Sequence, residues 1–529
     1  MNRQNRKSQR HDLQGTMTVF MGMTILMLLS IFFSLLEVVH YISLREESAM
    51  LSKIGIESMF ADYCRPLWDE YGVLAIDGGY GGEILDLCMA TDRMESCLAD
   101  NADVSKFSHG GNHLTLAVDA CGIESYGLLT DDAGVPFMKE CAGAAMYGIP
   151  EDLLDGLKEQ TDTAGDGQMD WEDLLEEGDA AYQSAMEERQ RRIEESERND
   201  GNGETTEEDE ADAEDNWIED SEALPGDLSA EEIAAAGNPI EMVLAWKDEG
   251  TLKQVVPTDA VSGKRMTVEN LVSDRTLSEG NTETTNTLST ADRFLFQYYL
   301  SEHMGSYTNR KERKGLSYEL EYVIGAEDSD KANLAETVEQ LLVFRGAMNL
   351  ASLLKDGEKR AEVKAVAVAL AGASVNPAVI KAVEAGVTAA WVYAESVLDI
   401  RTLLDGGKIA VVKTPADWTS DLLSLTQCVD MDYKAKESAD GIRYQTYLIA
   451  LLSVIPQKKI GLRALDVIEQ ELRQTKEYSK VKMDNFIYCA TVDYRYKAVP
   501  VFGSLVTTGR GPEGYSFSDK ESLDYTKYK

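Results

Sequence analysis

The stretch that decides the fold is Thr16–Leu36, TMTVFMGMTILMLLSIFFSLL, a run without one charged side chain. About 20 apolar residues, each rising about 1.5 Å in a helix, cross a hydrocarbon core of about 30 Å. A cleaved secretory signal has a shorter apolar region of about 7–15 residues and then a small-residue cleavage site, and no such site follows here. The sequence therefore predicts an uncleaved transmembrane helix at residues 16–36, with membrane lipid around it.

The flanks of this run predict its orientation. Arg3, Arg6, Lys7 and Arg10 precede it, and acidic residues soon follow it, beginning with Glu37. Because basic flanks stay on the cytoplasmic side, we expect a cytoplasmic leader at residues 1–15 and the bulk of the chain outside the cytoplasmic membrane. Glu37 lies at the outer edge of the run, where it either marks the interface or pairs with a partner helix.

Composition limits the classes of protein that the chain can belong to. The 529 residues include 51 Lys and Arg against 93 Asp and Glu, a net charge of −42. A chain of this length holds more than one folded unit, and a surface this negative repels phosphate backbones, so we expect no nucleic-acid partner. None of the seven cysteines forms a CxxC pair, which argues against a zinc ribbon. Five of them lie between residues 64 and 141, either in one or two local disulfides or as buried thiols.

Working outward from the apolar run, periodicity and composition divide the rest of the chain. We predict a juxtamembrane helix at 37–65, an α+β region at 66–160, an acidic loop and charged helix at 161–198, a disordered acidic linker at 199–224, a mostly helical α+β region at 225–510 and a C-terminal tail at 511–529. In the second half we expect helices at Ala291–His303, Lys331–Leu354, Glu358–Ala373, Pro377–Leu404, Tyr444–Ile455 and Arg463–Tyr478, and strands at Leu316–Ile324, Lys408–Lys413 and Asp484–Val501. The alanine-rich pair at Glu358–Leu404 is interrupted by charges and a proline, so we place it in a globular core. The predicted fold class is α+β, with small antiparallel sheets.

One loop has a spacing that points to a ligand. The segment Asp162–Asp173, DTAGDGQMDWED, matches most positions of a calcium loop of the EF-hand type. The candidate ligands are Asp162, Asp166, Gln168 through its backbone carbonyl, Asp170 and Asp173. Ala164 supplies no oxygen at the third position, and Asp173 is shorter than the customary Glu. The loop is therefore either a weakened Ca²⁺ site or a plain acidic turn between helices.

No catalytic arrangement stands out, and we expect a protein that is not an enzyme. His109 and His113, in HGGNH, lack the HExxH pattern. The segment SGKR at Ser262–Arg265 lacks the upstream glycine and the following Ser or Thr of a phosphate loop. No GxSxG is present, and a Ser-His-Asp device would have to recruit His109, His113 or His303.

Several long segments resemble an uncharacterised family of bacterial single-pass membrane proteins from Gram-positive anaerobes, whose genes lie near tight-adherence (Tad) pilus genes. The matching stretches are GTMTVF at Gly15–Phe20, MFADYCRPLWDEYGVL at Met59–Leu74, YELEYVIGAEDSDK at Tyr318–Lys331 and AESVLDIRTLLDGGK at Ala394–Lys408. The family has no established activity, so the resemblance implies no catalytic residue.

The layout is also similar to that of minor pilins of the TadE/TadG kind. These have a basic leader, a membrane helix that extends outward and late strands like Val492–Lys497. Their prepilins carry a Glu five residues after the processing Gly, whereas here Gly15 is followed by Phe20 at that position. The resemblance therefore implies an anchored accessory protein of a Tad-type pilus or surface-assembly system, which contacts other envelope proteins. The alternatives are a surface adhesin or ligand-sensing protein, with or without calcium, and a cell-wall enzyme.

Overall fold

The computed structural model describes residues 4–102, 116–146, 171–199, 233, 235–282, 287–371, 377–502 and 514–527. The chain divides into two compact units. Unit 1 comprises Met1–Ala144, Asp274–Ser289 and Leu472–Lys529, and unit 2 comprises Ala145–Ser273 and Thr290–Glu471. The predicted fold class is confirmed, because the described residues are mostly helical with a small antiparallel sheet.

Unit 1 combines a long helix with a four-stranded sheet. Its elements are α1 (Gln4–Ala61), α2 (Arg65–Tyr71), β1 (Ile76–Asp77), α3 (Leu87–Ala102), β2 (Leu116–Leu128), α4 (Asp131–Ala145), β3 (Phe486–Ala498) and β4 (Tyr515–Asp524). Strand β3 is central: β2 pairs along one of its edges, and β4 and β1 share the other edge. All of these pairings are antiparallel. The sheet therefore joins two strands from the first quarter of the chain, β1 and β2, to two strands near its end, β3 and β4.

One face of this sheet is covered by helices. Along β3 the alternate residues Val492, Tyr494 and Tyr496 are buried, and the residues between them are exposed, as expected for a sheet with one packed face. The Tyr494 hydroxyl lies 3.3 Å from the sulfur of Met94 on α3. The Tyr496 hydroxyl lies 2.9 Å from the Ser52 hydroxyl on α1. The packed face of the sheet therefore rests on α1 and α3.

The outer half of α1 presents a buried stripe to the sheet. Leu44, Ser48, Leu51, Ile56 and Met59 are buried, and their separations of three to five residues keep them on one side of a helix. The helix ends at Ala61, before Pro66. The predicted amphipathic continuation of the apolar run is therefore confirmed.

Unit 2 is helical and is arranged around one buried helix. Its helices are α5 (Trp171–Asn199), α6 (Pro239–Lys247), α7 (Thr251–Val255), α8 (Thr290–His303), α9 (Glu319–Gly325), α10 (Asp330–Lys355), α11 (Gly357–Ala371), α12 (Pro377–Leu404), α13 (Tyr444–Val454) and α14 (Gln457–Arg473). Every residue of α12 from Ala389 to Leu404 is buried, and α5, α6, α7, α10 and α11 pack around it. The prediction of an alanine-rich pair inside a globular core is confirmed.

Helices α5 and α12 approach each other at two glycines. A Cβ atom added to Gly178 would lie 2.5 Å from the Cα of Gly386, and one added to Gly386 would lie 2.8 Å from the Cα of Gly178. Since carbon atoms in contact sit about 3.5–4.0 Å apart, neither position accommodates a side chain without backbone movement.

Two of the predicted strands are wrong. The sequence predicts a strand at Leu316–Ile324, but the last six of these nine residues lie in helix α9. Lys408–Lys413 contributes only an isolated bridge between Ile409 and Ile442. The strand predicted at Asp484–Val501 is confirmed as β3. The predicted acidic linker at 199–224 lies almost wholly outside the described residues.

Candidate functional site

Helix α1 changes character along its length. Its large apolar side chains from Met17 to Leu35 are mostly exposed, Phe20 with 69% and Leu26 with 67% of their surface. An uninterrupted exposed apolar surface marks contact with lipid or with a partner protein. Within the described ranges, α1 is the one helix that is long and apolar enough to cross a membrane.

At the outer end of this apolar stretch, α1 is tied to the C-terminal part of the chain. The Glu37 carboxylate accepts hydrogen bonds from the Phe502 backbone N–H at 2.6 Å and from the Tyr515 hydroxyl at 2.9 Å. His40 Nδ1 lies 3.5 Å from the same carboxylate. We call Glu37, His40, Phe502 and Tyr515 the junction cluster. Its two ionisable members on α1 are buried beneath the C-terminal residues.

Aromatic rings enclose the junction cluster. The Tyr41 ring packs edge-on against Tyr515 at a centroid distance of 5.2 Å, and Phe517 lies 5.3 Å from Tyr41. Burial and the hydrogen bond to Glu37 raise the pKa of Tyr515 to about 12. Tyr515 therefore stays protonated at neutral pH, and its hydroxyl donates a hydrogen bond to the Glu37 carboxylate.

Further along, β4 continues beside α1. Ser48 donates to an Asp519 carboxylate oxygen at 2.8 Å, and the Tyr525 hydroxyl donates to the Phe60 carbonyl. From Ser48 to Phe60 the helix advances about 18 Å at 1.5 Å per residue. From Asp519 to Tyr525 the chain advances about 20 Å at 3.3 Å per residue. Because these lengths agree, strand and helix run side by side along the whole packed half of α1.

The structure gives Glu37 hydrogen-bond partners within its own chain. The sequence left open an interface marker or a carboxylate that pairs with a partner helix. Two of its hydrogen bonds come from Phe502 and Tyr515, which lie more than 460 residues further along the same chain. A Glu directly after a long uncharged run was the available signal, but nothing local indicated Tyr515 or Phe502 as its donors.

The predicted calcium loop falls almost entirely outside the described residues. This applies to Asp162, Asp166, Gln168 and Asp170, and also to His109 and His113. Asp173 lies on α5 and is exposed. In the parts of the chain that the structure describes, no three His, Cys, Asp or Glu side chains are grouped to hold a metal ion. The calcium site stays a prediction.

The cysteines, all within the described ranges, are thiols and form no disulfide. Burial raises the pKa of Cys64 to about 11, of Cys121 to about 12, of Cys428 to about 12 and of Cys489 to about 11. These four thiols are therefore protonated at neutral pH and are not activated as nucleophiles.

Of the three histidines considered for a catalytic device, His303 is the one that lies within the described residues, and its side chain packs against its own helix, α8. Its ring stacks on Tyr299 with centroids 4.1 Å apart, and its Nδ1 lies 3.1 Å from the Tyr299 carbonyl. Burial lowers its pKa.

A second polar cluster is enclosed in unit 2. Two guanidinium nitrogens of Arg345 on α10 donate to Asp399 on α12 at 3.0 and 2.8 Å. The Lys413 ammonium lies 2.5 Å from the other Asp399 oxygen and also contacts Glu395. Burial alone would raise the pKa of Asp399, but Lys413 and Arg345 outweigh burial and hold that pKa below its ordinary value. We call these four residues the buried ion cluster.

The buried ion cluster has a structural role. The side chains of Arg345, Asp399 and Glu395 are fully buried and that of Lys413 nearly so, which keeps them from any dissolved ligand. The backbone N–H groups of Thr419 and Ser420 also donate to Glu395. The cluster therefore fixes the segment after α12 onto α10 and α12.

Buried carboxyl groups also occur on the short helix α9. Glu319 accepts from the Gly305 N–H and from Arg313, both at 2.6 Å. Glu321 accepts from the Tyr307 N–H at 2.8 Å and from the Tyr444 hydroxyl at 2.9 Å. Burial raises the pKa of both carboxyl groups to about 7. These acids hold the loop after α8 and titrate near neutral pH.

Over the residues that the structure describes, the fold and the junction cluster define an α+β protein with one helix long and apolar enough to span a membrane. This helix is hydrogen-bonded to the C-terminal part of its own chain. The profile of a family of unknown function (DUF5702) matches residues 229–498, just over half of the chain. The chain belongs to this family. No curated protein and no solved structure matches it.

Proposed function

We propose that this protein is a membrane-anchored extracytoplasmic component of a surface-assembly system of the Tad-pilus type, acting through protein contacts and not through catalysis. Its apolar run lies in the cytoplasmic membrane of a bacterium, with the leader inside. The basic leader supports this orientation, because Arg3, Arg6, Lys7 and Arg10 resist export.

One observation carries the proposal: α1 is a single helix whose apolar half is exposed and whose outer half is fastened to a sheet. A protein that needs only a tether can use a flexible linker between anchor and folded unit. Here the junction cluster and β4 make the connection rigid. A rigid connection through α1 holds the sheet of unit 1 at a fixed height and orientation above the membrane, as contacts between neighbouring subunits of an assembly require.

The same contacts favour an accessory role over a filament subunit. The position that carries Glu in prepilins of the TadE/TadG kind is Phe20 here. The next acidic residue is Glu37, and its carboxylate is already occupied by Phe502 and Tyr515 of the same chain. Glu37 is therefore poorly placed to offset the terminal amine of a neighbouring subunit.

In vivo photo-crosslinking from the folded unit tests the proposal. A photoreactive residue replaces Ile84, which is 80% exposed on unit 1, and a matched variant carries it at Asp493 on the exposed face of the sheet. We expect light-dependent adducts with components of a pilus-type assembly from at least one position. Adducts only with glycan or host ligands, or turnover of wall fragments by the purified protein, would contradict the proposal.

A further inference from the structure

The exposed apolar surface of α1 does not stop at the end of the uncharged run. Val38, Val39 and Ile42 are each more than half exposed, Val39 with 61% of its surface. In the same helical turns Glu37 and His40 are buried. At this level α1 therefore faces its aliphatic side chains outward and keeps Glu37 and His40 covered.

The residues that cover Glu37 and His40 come from the segment after β3. Phe502 donates its N–H to Glu37, and its ring lies 6.3 Å from the His40 ring. The preceding residues turn apolar side chains outward, Val499 with 60% and Val501 with 37% of the surface exposed. The segment is thus held at the height of Glu37 and adds apolar surface there.

Helix length places this level at the membrane surface. From Met17 to Ile42 the helix advances about 38 Å, more than the hydrocarbon core of about 30 Å. Residues near Ile42 therefore lie in the interfacial layer when the apolar run spans the core. Tyr41, partly exposed beside them, is a residue type enriched at that layer.

An ionised side chain at this depth is costly unless it is paired and covered. The chain meets this requirement with the segment Val499–Phe502. The Phe502 N–H donates a hydrogen bond to the Glu37 carboxylate, and the two valines of the segment face outward. The resulting apolar surface is continuous with the lipid-facing part of α1, so lipid is the occupant that fits it.

We propose that Val499–Phe502 is a second membrane-contacting element, which lies in the interfacial lipid of the outer leaflet beside α1. This inference rests on the proposed membrane anchoring. Unit 1 then contacts the bilayer through two elements, α1 and the segment that follows β3.

Quenching by brominated lipids tests the inference on the full-length protein in vesicles. A fluorescent amino acid replaces Val501, and matched variants carry it at Leu26 in the apolar run and at Ile84. Ile84 is a suitable control because it follows β1, which pairs with Ile487 at the opposite end of β3 from Val499. We expect quenching at Val501 comparable to that at Leu26, strongest with bromines near the headgroup, and none at Ile84.

The outcomes separate the two proposals. Quenching at Leu26 without quenching at Val501 would overturn the second contact and leave the anchor standing. Loss of quenching at both positions would overturn the membrane anchoring itself.

Discussion

Replacing Glu321 with Gln isolates the energetic effect of one buried carboxyl group. Glu321 is fully buried, and its Oε1 accepts from the Tyr307 N–H and the Tyr444 hydroxyl. Its Oε2 has no hydrogen-bond partner among the described residues. Gln keeps an acceptor oxygen for both donors and cannot ionise. Glu321→Gln therefore imitates the protonated acid at every pH.

The size of the effect follows from the pKa. Burial raises the pKa of Glu321 from 4.5 to about 7, which at about 1.4 kcal/mol per pH unit corresponds to about 3 kcal/mol. Because the folded state binds this proton more tightly than the unfolded state, the stabilisation is complete below pH 4.5. It is lost as the pH rises to about 7 and changes little above that. Between pH 4.5 and 7.5 the wild type should lose about 3 kcal/mol that Glu321→Gln retains.

Thermal melting followed by tryptophan fluorescence measures this difference, because Trp246, Trp391 and Trp418 are buried in unit 2. For a unit of this size, about 3 kcal/mol corresponds to a Tm change of about 5 °C. The melting temperature of Glu321→Gln relative to wild type should rise by that amount from pH 4.5 to 7.5. The exposed Glu249→Gln serves as control and should show no such rise. Parallel curves for wild type and Glu321→Gln would refute the reasoning.

Three further substitutions test the contacts that hold each unit together. Asp399→Asn breaks the buried ion cluster and should cost unit 2 about 3–5 kcal/mol in chemical denaturation, because the buried Arg345 loses its counter-ion and Lys413 loses one of two. A loss below about 1 kcal/mol would contradict the role of the cluster. Gly386→Ala drives a Cβ into the Gly178 backbone and should lower stability by about 1–3 kcal/mol, and an unchanged melting temperature would show that α5 is not packed there. Tyr515→Phe leaves the buried Glu37 carboxylate short of one donor, so β4 should become more sensitive to limited proteolysis, by a factor that reflects about 1–3 kcal/mol. Cleavage at the wild-type rate would contradict the junction cluster.

Local sequence patterns were enough to predict the long helices. The uncharged run at Thr16–Leu36 and the apolar stripe after it are properties of adjacent residues, and α1 follows from them. The predicted helix Pro377–Leu404 has the same bounds as α12. In both cases a proline or a break in apolar spacing marks an end.

The segment Leu316–Ile324 shows where local patterns mislead. Tyr318, Tyr322, Val323 and Ile324 are residues that favour strands. All six residues from Glu319 to Ile324 are buried, so no helical period is visible. The helix persists because distant donors satisfy its buried carboxylates, and those donors are set by tertiary structure.

The candidate site depended on contacts that no local pattern encodes. Strand β4 has the polar sequence YSFSDKESLD, and it forms a strand by pairing with the free edge of β3 beside α1. The donors to Glu37 likewise lie at the other end of the chain. Glu37 stands out in the sequence because it directly follows the uncharged run, whereas no adjacent residue indicates its partners.

Labelling with a membrane-impermeant maleimide tests the anchored, outward-facing arrangement most directly. Cys88 on α3 is exposed, and the substitution Ser8→Cys places a thiol in the basic leader. In intact cells Cys88 should be modified, as read by peptide mass mapping, whereas the thiol introduced into the leader should react only after the membrane is permeabilised. Modification of the leader thiol in intact cells, with Cys88 protected until permeabilisation, would contradict the account.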